Sequence, residues 1–143
     1  MDLVLDANVL IAALIKKGIT ADLIVDENIH LFAPEFMMEE FQKYRDEIVQ
    51  KIHRTKDDFE HFLEVIKQRT AFIALEEIKP YLPQAIALSP DPKDVAYLAL
   101  AIRTGASIWS NDKRLKEHQN KIPVLATHEI LALLKPKNDP GKK

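Results

Sequence analysis

Cysteine is absent from the 143 residues, and its absence excludes several kinds of chemistry at once. Without thiols the chain forms no disulfide, has no cysteine nucleophile and holds no cysteine-ligated zinc. Glycine occurs only three times, too rarely for a glycine-rich loop that binds nucleotide phosphates. The histidines lack a metal-ligand spacing such as H-E-x-x-H; they are His30, His53, His61, His118 and His128.

Long apolar runs are missing as well. No stretch approaches the roughly 18 residues of a membrane span, and the Met1-Asp2 start lacks the basic segment and cleavage site of a signal peptide. We therefore expect a cytoplasmic protein without membrane contact. The length fits one domain over residues 1–134, followed by a disordered polar tail over residues 135–143.

The net charge of −2 is also small. Domains that bind nucleic acid through their overall charge are strongly basic, so any such contact here must be local or depend on bound metal.

Short apolar runs alternate with amphipathic stretches along the whole chain. This alternation predicts a three-layer α/β/α fold with a central five-stranded, mainly parallel sheet. Strands are predicted at 3–5, 29–33, 71–75, 106–110 and 122–125, and helices at 9–17, 20–26, 35–52, 55–66, 91–104 and 127–134, with a turn and short helix at 111–118. Thr55 is placed to cap the helix that it opens, and Gly105 follows the end of the helix at 91–104. A loop or single helical turn is predicted at 80–83. In such sheets, ligands bind beyond the carboxyl ends of the strands.

Two acids follow predicted strands directly. Asp6 comes after the first apolar run, and Asp112 comes shortly after the fourth strand. Both are equally well explained as helix caps or turn residues, since Asp serves both purposes. Their shared position at strand ends also makes both candidates for a site.

The long predicted helix at 35–52 carries the pair Glu39-Glu40. At about 100° per residue its apolar positions fall in one sector. Glu40 lies at the edge of that sector and Glu39 points nearly opposite. We therefore expect Glu40 to reach an interior site and Glu39 to face solvent.

The segment Asp91-Pro92-Lys93-Asp94 opens the clearest helix of the chain. Asp at the N-cap, Pro at the first position and an acid in the first turn form a strong helix start. Asp94 also shares a stripe with apolar residues further along, so it is the better functional candidate of the two aspartates.

Together these acids indicate a metal site. Converging carboxylates repel one another and need cations at neutral pH. Oxygen donors alone select Mg²⁺ or Mn²⁺, which suit phosphodiester hydrolysis. The basic residues that could position RNA phosphates flank Asp6 and Asp112, although a solvated surface explains them too; they are Lys16, Lys113 and Arg114.

These residues resemble the PIN domain family. The resemblance rests on LDANVL at 5–10, an acid on the helix after Ala33-Pro34, DPKDVAYLALA at 91–101 and WSND at 109–112. It spans about residues 1 to 134. The block around Glu40 differs from the commoner pattern, because two acids there precede Phe41 instead of leucine.

The resemblance implies Mg²⁺- or Mn²⁺-dependent cleavage of single-stranded RNA. Its four acids match Asp6, Glu40, Asp94 and Asp112. Asn8 and Ser110 match its supporting polar positions, and we expect Asp91 to be a supporting ligand through water. Many small members resemble VapC-like toxins, which are often homodimers and are held inactive by a small antitoxin protein.

Four other functions are alternatives to a toxin nuclease. The chain can be an RNA-processing nuclease outside any toxin–antitoxin system, or an inactive PIN module that acts as a binding or scaffold protein. A phosphoacceptor domain has a similar size and strand pattern, but it needs an acid pair after the first strand and an aspartate near the end of the third. A haloacid-type phosphatase needs an aspartate where Asn8 stands.

Overall fold

Five parallel strands form the central sheet of the computed structural model, which describes residues 1–89 and 91–135. Residues 136–143 of the tail predicted at 135–143 lie outside the described residues. The strand order is β3-β2-β1-β4-β5, and every pair is parallel. The strands are β1 Asp2–Leu5, β2 His30–Pro34, β3 Thr70–Ile73, β4 Ser107–Trp109 and β5 Val124–Leu125.

Helices connect these strands and cover both faces of the sheet. They are α1 Ala7–Ile15, α2 Ile19–Ile24, α3 Phe36–Lys43, α4 Arg45–Val49, α5 Lys56–Arg69, α6 Leu75–Ile78, α7 Leu82–Leu88, α8 Pro92–Thr104, α9 Lys113–His118 and α10 Thr127–Leu134, with a 3₁₀ helix at Lys79–Tyr81 between α6 and α7. Among the described residues, no helix has the length and apolar character needed to cross a bilayer.

The alternation of side chains along β1 produces two cores. Leu3 and Leu5 belong to one buried cluster, whereas Val4 belongs to the other. The first cluster packs against α1 to α5 and α10, and the second against α6 to α9. Both faces of a parallel sheet are therefore covered, and the predicted three-layer α/β/α fold is confirmed.

One local prediction was wrong. The single helix expected at 35–52 breaks at Tyr44, which lies between α3 and α4. Tyr44 is exposed, whereas Phe41 and Ile48 on either side of it pack into the first cluster. Tertiary packing thus overrides the continuous apolar periodicity of this segment.

The segment at 80–83, expected as a loop or a single helical turn, contains the end of the 3₁₀ turn at Lys79–Tyr81 and the start of α7, a helix that the sequence did not predict. Pro80 lies in the first turn of the 3₁₀ helix and Pro83 in the first turn of α7. Proline is tolerated at these positions because the amide that it lacks has no partner within the helix there.

The strand order reverses at β1. The chain proceeds from β1 through β2 to β3 on one side, and continues through β4 to β5 on the other. The connections after β1 and β4 therefore diverge and leave a crevice at the carboxyl ends of the two strands, where open α/β sheets bind their ligands.

Candidate functional site

A cavity of about 260 Å³ lies at this reversal of strand order. We call it the acidic cavity, because it brings together Asp6 after β1, Asp94 in the first turn of α8 and Asp112 after β4. Three of the four predicted acids thus line one cavity. The predicted supporting residues Asn8 and Ser110 line it too.

Ser110 fixes the orientation of Asp6. The buried Ser110 hydroxyl donates to Asp6 Oδ2 at 2.8 Å and accepts from the backbone N–H of Asp112 at 3.1 Å. Burial raises the pKa of Asp6 against the opposing effect of the Ser110 hydrogen bond, and the nearby charge of Asp112 raises it further. Asp6 is thus a well-held carboxylate in an environment that disfavours its negative charge.

Asp94 is the most buried of the predicted acids. It is only 8% exposed, and burial followed by the charge of Asp91 raises its pKa. Its Oδ2 lies 3.6 Å from Nδ1 of His118. A role at the start of the helix therefore does not fully explain Asp94. An exposed acid in the first turn would have the same favourable interaction with the helix dipole without the cost of burying its charge.

Asp112 has both of the roles that its sequence position left open. Its Oδ1 accepts from the backbone N–H of Arg114 at 2.9 Å and so caps α9, while it also lines the acidic cavity. The Arg114 guanidinium lies 3.1 Å from Asp112 Oδ2 and 3.7 Å from Asp91 Oδ2. Burial acts to raise the pKa of Asp112, but the hydrogen bonds and charge of Arg114 outweigh it and lower that pKa.

Asp91 caps α8, since its Oδ1 accepts from the backbone N–H of Lys93 at 3.0 Å. One ligand atom from each of Asp91, Asp94 and His118 lies within 4.8 Å of the other two. The spacing of the histidines along the sequence did not indicate His118 as a metal ligand. A signal was available, because His118 follows the buried Leu115 by three residues and shares its face of α9.

Glu40 does not line the acidic cavity. It is exposed, as is Glu39, and its Oε2 lies 3.0 Å from Nζ of Lys43. Glu40 instead lines a neighbouring cavity of about 450 Å³. We call this the apolar cavity; its lining includes Leu10, Ile11, Met37, Phe41, Tyr44 and Ile48. The helix-face expectation for Glu40 is therefore met only in part, since its carboxylate borders a cavity but remains open to solvent.

Lys93 and Tyr97 line both cavities, and the sequence reasoning did not single them out. Burial, followed by the charges of Asp6 and Glu40, raises the pKa of Tyr97, so its hydroxyl stays protonated between these carboxylates. Lys93 lies in the first turn of α8, where the helix dipole disfavours a cation. A lysine at a position unfavourable for a cation is the feature of the sequence that could have indicated Lys93.

The three predicted RNA-binding residues have different surroundings. Arg114 lines the acidic cavity, and Lys113 is exposed beside Asp112 on a neighbouring surface. Lys16 follows α1 at the end opposite to Asp6, which a nine-residue helix places roughly 13 Å along the axis. The structure therefore does not bring Lys16 to the acidic cavity.

Comparison with known proteins identifies the family. The model of the PIN domain matches residues 4–133. The chain belongs to the PIN domain family. PIN domains are generally nucleases and typically use a divalent metal.

Solved structures show the same PIN fold. One neighbour is the crystal structure of VapBC2 from Rickettsia felis bound to a DNA fragment from their promoter, with a TM-score of 0.64 and 15% identity. The alignment covers 88% of this chain and 98% of that chain. No curated protein matches the sequence.

The donors of the acidic cavity fit a divalent cation. Asp6, Asp94 and Asp112 offer hard oxygen ligands of the type that Mg²⁺ and Mn²⁺ prefer. The charge of Asp112 helps to raise the pKa of both Asp6 and Asp94. The three carboxylates thus repel one another, and a bound cation relieves that repulsion.

Proposed function

We propose that this PIN domain is a metal-dependent endoribonuclease that hydrolyses phosphodiester bonds of single-stranded RNA. The observation that carries the proposal is the acidic cavity at the reversal of strand order. There, the carboxylate after β1, the one in the first turn of α8 and the one after β4 converge. Mg²⁺ or Mn²⁺ held by these carboxylates would supply a water of lowered pKa and would neutralise charge on the scissile phosphate.

In this proposal Asp6, Asp94 and Asp112 hold the cation. Glu40 is the fourth acid and acts from the border between the two cavities. Its charge and that of Asp6 both act on the hydroxyl of Tyr97, which supports a location close to the others. Ser110 keeps the Asp6 carboxylate oriented through its 2.8 Å hydrogen bond.

Two cations of the chain are suited to the phosphates of the RNA. Lys93 lines both cavities, and Arg114 lies at the acidic cavity between Asp112 and Asp91. Such contacts fix the position of a strand without reading its sequence. They also allow local binding by a protein whose net charge is −2.

The central test compares wild-type protein with Asp6→Asn, using as the matched control Asp57→Asn, a substitution of an exposed aspartate in the first turn of α5. Sequencing of RNA ends after incubation should show Mn²⁺-dependent cleavage by wild type and the control. Asp6→Asn should lose about a hundredfold or more in rate, because a metal ligand is lost. Equal cleavage by Asp6→Asn and wild type would contradict the site. Metal binding without any cleavage would favour the inactive binding or scaffold module.

Glu40 and Glu39 form a second matched pair, since both are exposed acids of α3. Glu40→Gln should reduce the cleavage rate at least about tenfold, whereas Glu39→Gln should leave it unchanged. Steady-state cleavage of a fluorogenic single-stranded RNA measures both variants. Equal effects of the two substitutions would remove Glu40 from the proposed site.

We further propose that the chain is the toxin of a toxin–antitoxin pair, forms a homodimer and is held inactive by a small antitoxin protein. The fold shared with a VapBC2 structure and the apolar cavity beside the acids support this role. Induced expression should arrest growth, and Asp6→Asn should not. Cleavage in vitro without growth arrest would instead favour an RNA-processing nuclease, and light scattering tests the dimer.

A further inference from the structure

A second group of metal-binding side chains lies beside the acidic cavity and shares Asp94 with it. Asp91 caps α8, Asp94 follows in the first turn of the same helix, and His118 ends α9. Their ligand atoms all lie within 4.8 Å of one another. Ligands of one first-row divalent ion, each about 2.1 Å from it, lie at most about 4.2 Å apart. Small side-chain rotations therefore bring these three atoms to bonding distance.

Asp94 provides an independent indication of a ligand. It is 8% exposed, and its contact with His118 is 3.6 Å long. A buried carboxylate is costly unless a partner lies close to it. A bound cation would be a closer partner for Asp94 than the imidazole is.

Asp91 can bind a cation without giving up its structural role. The cap uses Oδ1, while the partner of Oδ2 within the described part of the chain is the Arg114 guanidinium at 3.7 Å. His118 is exposed and can rotate toward Asp94, and an imidazole nitrogen is a ligand that first-row transition metals accept readily and Mg²⁺ does not.

We propose that Asp91, Asp94 and His118 form a cation site with two carboxylates and one imidazole, which binds Mn²⁺, Co²⁺ or Zn²⁺ in preference to Mg²⁺. The proposal rests on the proposed function, because Asp94 belongs both to this site and to the acidic cavity. The site would add a nitrogen ligand to the oxygen ligands of the chain. It would therefore favour first-row transition metals over Mg²⁺, a preference that the four acids alone do not provide.

The test is metal binding to the purified full chain after removal of metal with a chelator. Co²⁺ and Mg²⁺ are titrated by calorimetry into wild type, His118→Ala and the control His61→Ala, an exposed histidine of α5. His118→Ala should weaken Co²⁺ binding by about tenfold or more and leave Mg²⁺ binding unchanged. NMR of the Co²⁺ protein should show paramagnetically shifted imidazole resonances that His118→Ala removes. His61→Ala should match wild type in both measurements.

Asp91→Ser separates the ligand from the helix cap, because serine caps helices about as well as aspartate. It should weaken Co²⁺ binding while leaving the circular dichroism unchanged. Unaltered Co²⁺ affinity and spectra in His118→Ala would overturn the inference, even if the protein cleaves RNA with Mg²⁺. Conversely, His118-dependent Co²⁺ binding in a protein that cleaves no RNA with any metal would uphold this site and reject the proposed function.

Discussion

The three aspartates of the acidic cavity share a residue type, but their surroundings make them different acids. Burial raises the pKa of Asp6 and of Asp94. Asp112 has the guanidinium and backbone N–H of Arg114 as partners, and its pKa is lowered. Without a bound cation, Asp6 and Asp94 therefore destabilise the fold when ionised, whereas Asp112 stabilises it.

Asp94→Asn should accordingly stabilise the metal-free protein. The amide keeps the shape of the side chain but carries no charge that burial penalises. We expect a gain of about 1 kcal/mol in the free energy of unfolding at pH 7, or a few degrees in Tm. Thermal unfolding in a chelator measures it. The same variant should lose the stabilisation that Mn²⁺ gives to wild type, and a lower Tm in chelator would contradict the argument.

Two buried serines provide a contrasting pair. Ser110 bridges Asp6 and the backbone of Asp112, whereas the buried Ser89 hydroxyl has no hydrogen-bond partner among the described residues. Ser110→Ala should cost about 1–2 kcal/mol and weaken Mn²⁺ binding. Ser89→Ala should change stability by less than about 0.5 kcal/mol. Urea unfolding of both variants checks this, and equal losses would count against the bridging role of Ser110.

At the level of elements, the ends of α8 are determined locally. Asp91 caps its start, and Gly105 ends it in the left-handed conformation with φ of 74°. Both were predicted from the residues alone and both are confirmed. The start of α5 at Thr55, whose hydroxyl accepts from the N–H of Asp58, is confirmed in the same way.

Gly105→Ala should destabilise the protein by about 1 kcal/mol, because a side chain disfavours the left-handed region. Gly18 is the matched control, since its φ of 175° is extended backbone and a Cβ added there meets nothing within 4 Å. Gly18→Ala should therefore be neutral or slightly stabilising. Thermal unfolding of both variants distinguishes this conformational cost from a general effect of replacing glycine.

At the level of the whole molecule, cation binding and pH are linked through the acidic cavity. Because Asp6 and Asp94 have raised pKa values, the folded protein binds their protons more tightly than the unfolded chain does. Their contribution to the free energy of unfolding therefore falls as pH rises above the ordinary value of 3.8 and through the folded pKa. Asp112 acts oppositely, and its contribution is lost when pH falls through its lowered pKa.

The gain in Tm from saturating Mn²⁺ should consequently increase as pH rises from 3.8, the ordinary pKa of aspartate, to neutral, because protons compete with the cation for Asp6 and Asp94. The fully buried Trp109, whose indole N–H donates to Thr127 at 3.0 Å, provides a fluorescence signal for unfolding. A double variant with Asp6→Asn and Asp94→Asn should show little gain in Tm from Mn²⁺ at any pH. A gain independent of pH in wild type would place the bound Mn²⁺ elsewhere.

What the sequence determined by itself was local in origin. Apolar runs and helix starts predicted the five strands, the layered fold and the caps at Thr55 and Asp91, because each depends on neighbours in the chain. The positions of Asp6 and Asp112 after strands could be predicted from the sequence for the same reason.

Only the tertiary structure decided which of these side chains meet. It placed the exposed Glu40 at the apolar cavity and not at the acidic one, a position that depends on how α3 packs against other elements through the buried Met37 and Phe41. It brought His118 of α9 to Asp94 of α8, a contact between helices that no spacing along the chain encodes. Sequence periodicity fixes the face of a helix, but the neighbour that this face meets depends on the strand order, which is a property of the whole sheet.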